Sequence, residues 1–173
     1  MYQRKTICYR QYTGPEIALF IHPILRVNRI FEAYMTINGE QYRFERVMII
    51  DDDEVDRYSA SYIMKKNLFA KHIIEFGLAT QAIEYLEKNQ DSPDLLPEII
   101  LLDINMPRMN GFEFLERLAN LHLCAKISCC IVMLTSSNNP RDHKRAEEDP
   151  IVKEFLNKPL QKTDLEIINR AYG

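Results

Sequence analysis

Residues 99–107 read IILLDINMP: four apolar residues without a polar break, then an aspartate, then a proline four positions further on. Two other quartets have the same character. Val47-Met48-Ile49-Ile50 runs into Asp51-Asp52-Asp53, and Ile131-Val132-Met133-Leu134 runs into Thr135. A strand that is apolar on both faces belongs in a parallel sheet covered by helices on either side, whereas a half-exposed strand would alternate. Weaker strand signals lie at 71–76 and 153–156. Between the strands, Ala79, Ala82, Ile83 and Leu86 share one helical face, and Phe112, Leu115, Leu118 and Ala119 share another after Gly111. Thr163-Asp164-Leu165-Glu166 reads as a capping box that opens a last helix over 165–171. Strands alternating with helices five times predict an α/β fold, a doubly wound five-stranded parallel sheet, with its chemistry beyond the carboxyl ends of the strands.

The rest of the sequence narrows the function by exclusion. Its 173 residues suit one ordinary domain with an appendage, and 46% hydrophobic with 27% charged residues is an average globular composition. Residues 1–45 carry a net +2 and the remainder a net −5, within an overall −3. An acidic main domain has no general attraction for nucleic acid or an anionic membrane. The most apolar N-terminal stretch, Ile17–Leu25, is nine residues long and contains His22 and Pro23, too short to span a bilayer. Cys8, Cys124, Cys129 and Cys130 lack metal-ligand spacing and read as thiols of a reducing, cytoplasmic setting. The histidines His22, His72, His122 and His143 form no ligand pattern. Residues 1–45 read as an N-terminal extension without a core of its own, with a hairpin signal at 34–44 around Asn38-Gly39. The main domain is expected over 46–173.

Each strong strand ends in a residue with useful chemistry. Asp51 and Asp52 follow the first, Asp103 the third and Thr135 the fourth, while Asn157-Lys158-Pro159 follows the fifth. In a parallel sheet these ends share one rim. Three carboxylates against one lysine oppose folding, because like charges raise one another's pKa. A divalent cation with oxygen ligands and open water positions, such as Mg²⁺, relieves that conflict. Cation, lysine, hydroxyl and nucleophilic carboxylate are together the parts that stabilise a phosphoryl group in transfer.

Asp51-Asp52, Asp103, Thr135 and Lys158-Pro159, in this order and at strand ends, resemble the receiver domain of two-component response regulators. The resemblance runs from about Arg46 to the end of the chain. It implies a flavodoxin-like (βα)5 fold and a phosphorylation-dependent switch rather than a turnover enzyme. Asp103 corresponds to the phosphoacceptor, supplied by a sensor histidine kinase or phosphotransfer protein. Mg²⁺ would be held by Asp52 and Asp103, by the Asn105 carbonyl, and by Asp51 through water. Thr135, the Ser136 amide and Lys158 correspond to the phosphate-binding groups, and Phe155 to the switch aromatic. Pro107 and Gly111 shape the loop after Asp103, and Lys158-Pro159 is expected to be cis. A downstream protein is the implied target, through the face built from the fourth helix, fifth strand and last helix. Dimerisation through that face stays open. The sequence carries no output domain after the last helix, so a stand-alone receiver is expected.

Taken singly, the same residues have plainer readings. A lone Lys158 is a surface charge, a lone Thr135 a strand-end hydroxyl, a lone Phe155 a core ring. Asp53 and Glu54 suit the start of a helix. One alternative is a degenerate receiver that binds a partner without phosphorylation, yet no acid, hydroxyl or lysine is missing. Another is an aspartate-nucleophile phosphohydrolase of the haloacid dehalogenase type, whose first motif Asp51-Asp52-Asp53-Glu54-Val55 would satisfy. That family needs a further acidic metal-binding motif after the lysine, and only Asp164 and Glu166 follow.

Overall fold

The computed structural model describes residues 41–120, 129–137 and 139–172. Strands β1 (Phe44–Ile50), β2 (Ala70–Phe76), β3 (Ile99–Leu102), β4 (Cys130–Thr135) and β5 (Val152–Asn157) form one sheet, ordered β2-β1-β3-β4-β5. Every neighbouring pair is parallel. Helices α1 (Glu54–Lys66), α2 (Ala79–Lys88), α3 (Gly111–Asn120), α4 (Pro140–Glu148) and α5 (Lys162–Tyr172) alternate with the strands. This is the doubly wound parallel sheet that the quartets and helical faces predict, in the flavodoxin-like strand order that the resemblance implies. Residues 34–40 of the expected hairpin lie outside the described residues, as do Cys8, Cys124, His22 and His122; Phe44 opens β1.

Successive residues of the quartets point to opposite sides and are buried on both. Met48, Ile50, Ile100, Leu102, Ile131 and Met133 face one core, with Ala82, Leu86, Phe114 and Leu115 from α2 and α3. Val47, Ile49, Ile99, Leu101, Val132 and Leu134 face the other, with Ala60 and Met64 from α1 and Leu165 and Ile168 from α5. Full burial of such a side chain contributes about 1.5–3 kcal/mol. An exposed edge pair such as Glu45–Lys71 at 3.4 Å contributes under about 1 kcal/mol. The two apolar layers therefore hold the sheet, and the polar edges follow. β2 and β5, at the edges, are only partly buried, which is why their sequences signal strand more weakly.

Two local expectations change. Ala119 is exposed, whereas Phe114 is fully buried, because α3 presents a broader face to the core than one stripe. α5 begins at Lys162, one residue ahead of the expected Thr163 cap and three ahead of the expected first helical residue, Leu165; the Gln161 amide donates to Asp164 Oδ2 at 2.7 Å, closing the first turn there. Pro140 is the first residue of α4, where its missing N–H has no helical partner to lose. Asn139 caps that helix by accepting from the Arg141 amide at 3.1 Å.

The long link before β3 is ordered by a short 3-10 turn, Pro93–Leu95, and by the Tyr85 hydroxyl donating to the Leu95 carbonyl at 2.8 Å. Buried Leu96 then anchors the chain into β3. Beyond β3, α3 starts on a reciprocal cap: the Glu113 amide donates to Asn110 Oδ1 at 3.0 Å, and the Asn110 amide to Glu113 Oε2 at 2.8 Å. Gly111 lies against the strand end. A Cβ there would stand 2.5 Å from the Asp103 carbonyl oxygen and 3.1 Å from the Ile104 Cα.

Both neighbours of that Cβ are backbone, so the loop must shift to admit it. Gly111→Ala is expected to lower stability by about 1–3 kcal/mol in urea denaturation; an unchanged midpoint would mean the close approach is absent in solution. Burial also pushes the Cys130 thiol up to about 11. Ionisation being disfavoured in the fold, Cys130 should resist iodoacetamide at pH 8 and react once urea is added, as followed by peptide mass mapping.

Candidate functional site

Backbone hydrogen bonds carry the ladders of β1, β3 and β5 one residue past the strand end. The Asp51 amide donates to the Phe76 carbonyl at 3.1 Å, the Asp103 amide to Ile50 at 2.9 Å, and the Lys158 amide to Thr135 at 2.9 Å. Asp51, Asp103, Thr135 and Lys158 are thereby fixed to one rim by main-chain geometry. Side-chain freedom has little part in it. Arg57 of α1 braces the first of these ends, its Nη1 donating to the Asp51 carbonyl at 2.7 Å. Asp53 caps α1, accepting from the amides of Val55 and Asp56. The plainer reading of Asp53 is therefore the structural one.

The carboxylates of Asp51, Asp52 and Asp103 converge, each offering an oxygen within 4.8 Å of the others. Asp51 and Asp103 are buried and Asp52 is exposed. Lys158 Nζ meets Asp51 Oδ2 at 2.7 Å, Asp56 Oδ2 at 3.0 Å and Asp103 Oδ2 at 3.3 Å. Burial pushes the Asp51 carboxyl above its ordinary value; the Lys158 hydrogen bond and charge and the Asp53 amide oppose the rise without cancelling it, and Asp103 adds to it. Burial alone would lower Lys158. Hydrogen bonds to Asp51 and Asp56, with the charges of Asp103 and Asp51, outweigh it and hold the ammonium above its usual range. With its folded value raised, the lysine's contribution is fully present at neutral pH and is lost only as pH rises through that value.

Among the described residues, one buried oxygen of this cluster has no hydrogen-bond partner. Asp103 Oδ1 is buried and accepts no hydrogen bond among the described residues. A buried, unsatisfied carboxylate oxygen costs free energy unless something binds it. Beside it stand two more carboxylates, an all-oxygen donor set of the kind a hard divalent cation such as Mg²⁺ takes. Both oxygens of Asp51 are already engaged, Oδ1 by the Asp53 amide at 3.0 Å and Oδ2 by Lys158. Asn105 and Pro107 lie exposed on the loop that follows Asp103. That loop is tightened by hydrogen bonds from Met109 to Pro107 and from Gly111 to Ile104, with Arg108 at φ 71. Lys158-Pro159 is cis.

Thr135 is fully buried at the end of β4. Its Oγ1 accepts from the Ser137 amide at 3.1 Å, leaving the hydroxyl hydrogen to donate elsewhere. Ser136 is exposed beside it. Phe155 is half-buried on β5 and stacks on His143 of α4, ring centroids 3.9 Å apart. Asp164 and Glu166, the acids a phosphohydrolase would need, lie on α5, and Asp164 is taken up in that helix's first turn.

The response regulator receiver domain family matches residues 47–169. The chain belongs to the response regulator receiver family. Receiver domains are signalling modules, and membership gives this chain a role in two-component signalling. It is 27% identical over 128 residues to the two-component response regulator ORR1 of Oryza sativa subsp. indica, covering 73% of this chain and 54% of that protein. It thus spans about half the length of that rice relative. It is 33% identical over 112 residues to the chemotaxis protein CheY of Thermotoga maritima, covering 64% of this chain and 87% of that one. A two-component response regulator structure from Cytophaga hutchinsonii superposes with a TM-score of 0.70 at 27% identity, over 75% of this chain and 97% of that one. No helix among the described residues of this receiver is long and apolar enough to cross a membrane.

The receiver rim also contains residues the sequence did not single out. Asp56 is a fourth carboxylate, in the first turn of α1, where an acid looks like any dipole-compensating residue. Ser137 Oγ donates to Asp142 Oδ2 on α4. The stacking of His143 on Phe155 joins two elements that no local pattern connects. Replacing Lys158 by Met should destabilise the Mg²⁺-free protein at pH 7 by about 3 kcal/mol, since buried carboxylates lose their counter-charge. Millimolar Mg²⁺ should raise the variant's urea midpoint more than the wild type's; a loss under about 1 kcal/mol would mean the ammonium does not neutralise the cluster.

Proposed function

We propose that this receiver is a phosphorylation-dependent switch and that Asp103 is its phosphoacceptor. The supporting observation is the asymmetry of that carboxylate: Oδ2 is 3.3 Å from Lys158 Nζ, while Oδ1 is buried beside Asp51 and Asp52 with no hydrogen-bond partner among the described residues. The phosphoryl donor is a phosphohistidine of a sensor histidine kinase or of a phosphotransfer protein. An Asp103 oxygen bonds to phosphorus as the phosphorus–nitrogen bond breaks, and the imidazole leaves with that electron pair and takes a proton. Lys158 pairs with a phosphoryl oxygen, and Thr135 donates its hydroxyl, with the Ser136 amide close by. Asp52, Asp103 and the Asn105 carbonyl would hold Mg²⁺, with Asp51 contributing through water. When bound, the cation supplies positive charge against the charge that develops on the transferring group.

Output follows from movement of Thr135 and its loop, which biases α4, β5 and α5 toward a downstream protein. Phe155 and its stacking partner His143 lie on that face, and self-association there is a second use of the same surface. The acidic domain, with its net −5 beyond residue 45, suits a protein partner over nucleic acid. The thiols and the lack of an apolar span among the described helices suit a cytoplasmic setting. Binding a partner without phosphorylation is the competing reading.

Incubation with acetyl phosphate should add one phosphoryl mass to the intact chain, only with Mg²⁺ and not in Asp103→Ala. A folded wild type that takes no adduct would overturn the proposal in favour of a phosphorylation-independent binding module.

A further inference from the structure

Lys158 has three protons and three carboxylate partners, at 2.7, 3.0 and 3.3 Å, and Asp103 is the most distant of the three. Asp51 and Asp103 belong to the cluster whose oxygens come within 4.8 Å of one another; Asp56 does not. A cation at that cluster would draw on Asp51 and leave Asp56 paired with Lys158. Asp56 reaches the ammonium from α1, outside the strand ends, with a side chain 31% exposed against 7% for Lys158.

Resting on the phosphoacceptor reading of Asp103, we infer that Asp56 is a positioning residue that attenuates phosphorylation by competing with the phosphoryl group for Lys158. The competition is electrostatic. An ammonium shared with a carboxylate at 3.0 Å offers less net charge to an incoming dianion than one that is unshared. Asp56 touches neither the phosphorus nor the attacking oxygen, so it acts only through the lysine.

Two substitutions separate charge from shape. Asp56→Asn keeps an oxygen that can accept from Lys158 and removes the charge, whereas Asp56→Glu keeps the charge. At saturating Mg²⁺ and fixed acetyl phosphate, Asp56→Asn should be phosphorylated about threefold to fivefold faster than wild type, the range a partly exposed ion pair supports. Asp56→Glu should stay near the wild-type rate. In Mg²⁺-free protein, a double-mutant cycle of Asp56→Asn with Lys158→Met in urea denaturation should show a non-zero coupling. A slower or unchanged Asp56→Asn rate, or no coupling, overturns the competition while leaving Asp103 as the phosphoacceptor. No adduct on wild type or variant overturns the phosphoacceptor reading and this inference with it.

Discussion

Carboxylates from two neighbouring strand ends crowd one rim of a parallel sheet, and the rest of the site answers that crowding. Two unit charges about 4 Å apart repel by about 4 kcal/mol at the effective dielectric of a protein's outer layers. Asp51, Asp52 and Asp103 hold such charges in place because the main-chain ladder, and not side-chain choice, puts them there. Lys158 reaches across from beyond β5 to meet two of them, and its raised pKa records how strongly they hold it. The ammonium leaves Asp103 Oδ1 unsatisfied. A fold that buries such an oxygen keeps a place for a cation or an incoming electrophile.

That arrangement depends on the apolar layers beneath it. The quartets in β1, β3 and β4 are buried on both faces, which fixes the register and hence which residue of each strand is the first to emerge. A slip of one residue in β3 would exchange its two apolar faces, draw Glu98 or Asp103 into a core position and move Asp103 off the rim. Gly111 matters for the same reason, since it lets α3 begin against the Asp103 carbonyl.

The fold was legible because these strands are apolar without interruption, and no other common element explains three such quartets each ending in an acid or a threonine. The rim was legible because parallel strands share an end. Asp56 escaped notice because an acid in the first turn of a helix has an ordinary explanation. The Asn110–Glu113 cap was visible as an N-x-x-E spacing and passed over, whereas the Ser137–Asp142 bond and the His143–Phe155 stack depend on how α4 settles on β5. Those two contacts bear on signalling. If Thr135 swings toward a phosphoryl group, the Ser137 amide loses its acceptor, and Ser137 is tied to α4 through Asp142. His143, the next residue of α4, rests on Phe155, so both contacts reach the same helical turn.

The most direct test of the account is an amide ¹H–¹⁵N spectrum of the full chain, recorded with Mg²⁺ and with Mg²⁺ plus beryllofluoride, a phosphoryl mimic. The account predicts joint shifts at Asp52, at 103–105, at 135–137 and at Lys158, with beryllofluoride shifts that vanish in Asp103→Asn. Beryllofluoride shifts that persist in Asp103→Asn, or that fall away from the rim, would contradict it.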